Sequence, residues 1–179
     1  MKKNKKNNKK NYWILKIMIL TFIISIIFTT ISELAIPNIN IPFGILLIIV
    51  FVFIGILFDM IGVAVTTSNE SVFHSMAAKK VRGAKLAIKF KKNADRVANI
   101  CQDVVGDICG IISGSTGAVI SLKIVEKLNI PNLFVILIVM GTISTITIGG
   151  KAMVKGIAIK NANTIVYRFA YLLSFWIKG

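Results

Sequence analysis

Apolar residues come along this chain in blocks rather than in stripes. A helix needs about 20 apolar residues to cross the hydrocarbon of a bilayer. Four blocks are near or above that length: residues 13–36, 43–65, 97–122 and 133–148. The first keeps its two charges, Lys16 and Glu33, near its ends, within reach of lipid headgroups. It is longer than a signal-peptide core and no A-x-A-like cleavage site follows it, so it reads as a signal-anchor helix. "PNINIP" at 37–42 makes a turn, its prolines stopping one helix and starting the next. Residues 67–96 break the pattern. There Phe73, Met76, Ala77, Val81, Leu86 and Ile88 fall near one face, interrupted at Gly83. That spacing predicts two short amphipathic helices lying in the headgroup plane. After the fourth block, residues 153–178 mix basic and apolar positions. Lys155, Lys160 and Arg168 make a surface helix the expectation there, rather than a fifth span. The predicted fold is an all-α integral membrane protein with four transmembrane helices and a cytoplasmic amphipathic helical belt. The Lys/Asn-rich residues 1–12 are expected to be disordered.

Composition agrees with the pattern. Of 179 residues, 55% are hydrophobic, and one membrane domain at 43–178 fills the length after the first span. The charge adds direction. The net charge is +15, from 22 Lys and Arg against 7 Asp and Glu. Six lysines precede the first span, eight basic residues lie between Lys79 and Arg96, and five lie between Lys151 and Lys178. The two other loops hold only Lys123 and Lys127. By the positive-inside rule both termini are expected in the cytoplasm, with the chain multi-pass in the plasma membrane. Membrane lipids are the expected partners of the basic surface. Nucleic acid is not expected, because the basic patches flank spans and lack interleaved aromatics.

The candidate chemistry lies in polar groups placed inside or at the ends of spans. Charges in a span are expensive and usually functional. Asp103 and Asp107 lie four residues apart in the third block, on one helix face. Both cannot stay charged and unpaired in lipid; the alternative is that the third span starts later and both acids sit near the surface, since Asp103 is only seven residues past Arg96. Thr66, Thr67, Ser68, Asn69 and Glu70 end the second block at the same level, and Gly149, Gly150 and Lys151 end the fourth. Three span ends thus bring hydroxyls, carboxylates, glycine carbonyls and a lysine to one depth. Hard divalent cations such as magnesium take oxygens of these kinds. Cys101 and Cys109 are about 12 Å apart along one helix, too far for a disulfide. His74 has no Cys or second His nearby, so a transition-metal site is not suggested. No nucleophile–base pair, redox motif or phosphate-cradling loop occurs, so an enzyme is not expected. Gly106, Gly110, Gly114 and Gly117 instead give the third span a smooth face for helix packing.

These elements resemble the transmembrane domain of the CNNM/CorC magnesium and cobalt transport family. The residues carrying the resemblance are "TSNESV" at 67, with Thr67 in a hydroxyl position and Glu70 in a glutamate position, and the basic belt that follows. "QDVVGD" then puts Asp103 and Asp107 where the family has two asparagines. "GKAMVK" puts Lys151 at a glutamate position and Val154 at a proline, with Lys155 matching a lysine. The resemblance covers roughly residues 44–178. It implies a homodimer and a dehydrated magnesium ion held between three span ends. The candidate ligands for such an ion are Thr67, Gln102, Asp103, Asp107 and the Gly150 carbonyl.

The departures exchange charge: two amides become acids, and one acid becomes Lys151. Two readings stay open. In one, the protein transports or binds divalent cations, and Lys151 snorkels to the headgroups. In the other, the Lys151 ammonium takes the cation's place and the protein is a non-transporting relative with a structural, regulatory or partner-binding role. A Lys–Asp–Asp cluster also titrates, which adds proton coupling to the expectations.

Overall fold

The computed structural model describes residues 40–128 and 131–175, with residues 15, 18, 19, 21–27, 29, 30 and 34 ahead of them. The predicted tail at 1–12 lies outside the described residues. So does much of the predicted span at 13–36, whose described positions are helical.

Helix α1 (Ile41–Thr67) starts with a proline in its first turn, where the missing N–H costs nothing. It ends at Ser68, which turns extended while its N–H still bonds the Ala64 carbonyl. Asn69 then opens α2 (Glu70–Ala78), its side-chain oxygen accepting from the Ser71 N–H at 3.0 Å. Gly83 separates α2 from α3 (Ala84–Lys92) as expected, with φ +84°. A Cβ there would lie 3.0 Å from the Tyr171 Cα, so glycine serves both the turn and a close approach. Helix α4 (Ala94–Leu128) follows, with a wider π-helical stretch at Ile100–Val105. Helices α5 (Asn132–Lys160) and α6 (Ala162–Leu173) complete the described chain.

Three described helices, α1, α4 and α5, are long and apolar enough to cross a membrane. Many of their large side chains point outward: Ile138 is 69% exposed and Ile148 68%. A surface this apolar is stable against lipid and not against water. Hydroxyls on it are satisfied locally. Thr142, Thr145 and Thr147 each donate to the carbonyl four residues back at 2.7–2.8 Å.

The fourth span, expected to stop at the two glycines after Ile148, continues past them. Helix α5 runs unbroken through Gly149 and Gly150 to Lys160. Each glycine costs a helix about 1 kcal/mol, which packing outweighs here. The missing side chain of Gly150 makes room for Ile56 of α1. Among the described residues after Asn161, α6 has 12 residues, about 18 Å of helix, shorter than a hydrocarbon layer of about 30 Å.

Helices α1 and α4 pack antiparallel through glycines of α1. Gly44 meets Ile120, Gly55 meets Cys109 and Gly62 meets Gln102, a constant register along the whole contact. The expected glycine face of α4 is divided. Gly106 and Gly117 face α5, at Lys151 and Ile143, whereas Gly110 and Gly114 have nothing within 4 Å of an added Cβ. A second core lies at the end of α1, where Val65, Phe73, Ala87, Ala158 and Val166, all 0% exposed, join α1, α2, α3, α5 and α6. That core fixes the candidate site from below.

Candidate functional site

The end of α1 carries the hydroxyls. Thr66 and Thr67 both donate to the Val63 carbonyl at 2.8 Å, and buried Ser68 donates to Val65 at 3.0 Å. Each hydroxyl spends its proton on its own helix, so its oxygen lone pairs stay available to an external ligand. One turn earlier, Gly62 lets α4 approach closely. A Cβ on Gly62 would lie 2.5 Å from the Gln102 Cγ and 3.3 Å from the Ala98 carbonyl oxygen. The Gln102 side chain therefore lies against α1 one turn from Thr66.

Lys151 points into the bundle. Its Nζ lies 3.6 Å from the position a Cβ on Gly106 would take. Among the described residues Lys151 forms no ion pair or side-chain hydrogen bond. Lys151 is half-buried, as is Gln102.

Asp103 and Asp107 are exposed and likewise make no ion pair or side-chain hydrogen bond among the described residues. The structure thus turns Gln102, Gly106 and Lys151 toward the contacts between the three spans, whereas Thr67 is exposed at the end of α1 and the two aspartates are exposed on α4. They follow the inward-facing Gln102 and Gly106 by one residue, about 100° of helical rotation. Gly150 lies inside α5 rather than at its end, so its carbonyl belongs to the helical ladder. Glu70, in the first turn of α2, meets His74 at 3.2 Å, an exposed i,i+4 pair. No three His, Cys, Asp or Glu side chains converge among the described residues. The Gln102 amide and the Thr66 and Thr67 hydroxyls are neutral oxygen donors of a kind that a hard cation accepts.

Two contributors carry no mark in the sequence. The Lys91 ammonium donates to the Thr66 carbonyl at 2.7 Å and to the Val65 carbonyl at 3.3 Å. Asn163 of α6 accepts the Asn69 N–H on its Oδ1 at 2.8 Å. Lys91 is one of eight basic residues between Lys79 and Arg96, and only the packing of α3 distinguishes it.

Apolar spanning helices joined by short amphipathic ones, with polar groups gathered where the spans end, define a multi-helix membrane domain. The chain belongs to the CNNM family: the family model for the Cyclin M transmembrane N-terminal domain matches residues 45–178, about three quarters of its length. No curated protein and no solved structure matched the chain.

Proposed function

We propose that this protein handles divalent cations of the magnesium and cobalt type in the membrane, as a transporter. The observation that carries this is the seating of Gln102 on Gly62, one turn from the hydroxyls of Thr66 and Thr67, within the matched CNNM domain. We assign Thr67 and Gln102 as inner ligands of the transported ion. Asp103 and Asp107 attract cations at the exposed mouth. Magnesium is the expected substrate rather than a resident cofactor. The test is cobalt or magnesium uptake into depleted cells. Uptake above the empty-vector level that falls in Gln102→Ala and in Asp103→Ala supports the proposal. No uptake above that level refutes it.

Lys151 favours a second reading. An ammonium beside Gly106 opposes a dication at the same place. The chain would then be a non-transporting member with a structural, regulatory or partner-binding role. Magnesium-dependent thermal stabilisation separates the two. Under the second reading wild type gains none and Lys151→Glu gains it, by about 2.7 kcal/mol at one hundred times its Kd.

We further propose that a second copy covers the open face at Gly110 and Gly114, so the working unit is a homodimer. The exposed basic residues of α3 lie against anionic headgroups of the plasma membrane, which puts both termini on the cytoplasmic side.

A further inference from the structure

We propose that Lys91 and Asn163 are positioning residues that clamp the Thr67-bearing end of α1. This rests on the proposed role of Thr67 as a ligand.

A helix leaves its last carbonyls unpaired and carries partial negative charge there. In α1 the Thr66 carbonyl is one of these, and the Val65 carbonyl already accepts from the Ser68 hydroxyl. The Lys91 ammonium takes both. Its location is not a free surface lysine's choice. Ala87, one turn earlier on α3, and Val65 itself are each fully buried in the same core, so the helix that carries Lys91 is docked.

Asn163 grips the other side of the same turn. Its Oδ1 accepts the Asn69 N–H, while the Asn69 side chain is already committed to Ser71. Asn163 is fixed in turn by its neighbours Ala162 and Val166, which are 5% and 0% exposed. The segment from Thr66 to Ser71 is therefore held by α3 and α6 at once. Asn161 alone separates α6 from α5, so the helix bearing Lys151 and the turn bearing Thr67 share one mechanical connection.

The test uses the full-length protein in nanodiscs, as wild type, Lys91→Met, Lys91→Arg and Asn163→Ala. Lys85→Met, an exposed position on α3, is the charge-matched control. Hydrogen exchange reads the clamp without any ion. Exchange over residues 66–71 should rise by about fivefold or more in Lys91→Met and in Asn163→Ala. Lys91→Arg and Lys85→Met should match wild type. No rise in either clamp variant, or an equal rise in Lys85→Met, overturns the clamp. Cobalt titration followed by visible absorption then reads its purpose. Affinity should fall about tenfold in Lys91→Met and recover within about threefold in Lys91→Arg. Unchanged affinity in Lys91→Met, despite faster exchange, overturns the positioning role. If wild type binds no cobalt, the transport proposal fails, and the exchange result alone decides the clamp.

Discussion

Gly62→Ala tests the closest approach between spans at the candidate site. Alanine in a helix is intrinsically better than glycine by roughly 0.5–1 kcal/mol. Against that, the new methyl would lie 2.5 Å from the Gln102 Cγ and 2.9 Å from its Cδ, with the Ala98 carbonyl oxygen at 3.3 Å. The Gln102 contact begins at the second carbon of its side chain, so rotation of the amide end does not relieve it. The backbone oxygen cannot rotate away at all. Overpacking of this kind costs about 1–3 kcal/mol. Gly149→Ala supplies the reference, because nothing lies within 4 Å of its added Cβ. It should gain the full intrinsic benefit. The difference between the two variants isolates the steric cost, about 1–3 kcal/mol in favour of Gly149→Ala. Reversible unfolding in mixed detergent micelles, followed by helical circular dichroism, measures it. If Gly62→Ala is as stable as Gly149→Ala, the close contact of α1 and α4 at Gln102 is wrong.

Phe73→Ala, which removes a ring at 0% exposure from the core under the site, should cost about 3–5 kcal/mol in the same assay. Gly83→Ala combines a φ of +84° with a Cβ 3.0 Å from the Tyr171 backbone; a loss of about 1–3 kcal/mol is expected, and a neutral result would remove the docking of α6 on this turn. Cys101 and Cys109 are both free and only 4% exposed, so a maleimide probe should label neither in the folded protein and both after denaturation. Rapid labelling of either in the folded state would contradict the packing of α4.

Much of the architecture was legible because it follows from local chemistry. Block length gave the three described spans, and Gly83 marked the break between α2 and α3. The hydroxyl run from Thr66 to Ser68 marked the end of α1 at Thr67. The misses have a common cause, which is tertiary packing. Gly149 and Gly150 read as a stop, yet no proline follows them, and contact with Ile56 carries the helix onward. The spacing of Asp103 and Asp107 did not say where the two side chains point, and both are exposed. Orientation depends on how α4 docks, and Gly62 draws Gln102 inward one residue before the first aspartate. The stripe of α4 glycines likewise suggests one packing surface, whereas α5 uses Gly106 and Gly117 and leaves Gly110 and Gly114 bare. Lys91 and Asn163 were invisible because their roles exist only once distant helices meet.

The unbroken course of α5 has a mechanical consequence. Its 29 residues make a rod about 44 Å long, against a hydrocarbon layer of about 30 Å. Such a rod answers a thinner or thicker bilayer by tilting. Because α6 follows after a single residue and holds the end of α1 through Asn163, that tilt is delivered to the turn carrying Thr67. The tilt of α5 and the position of that turn are thereby coupled through one residue and one hydrogen bond.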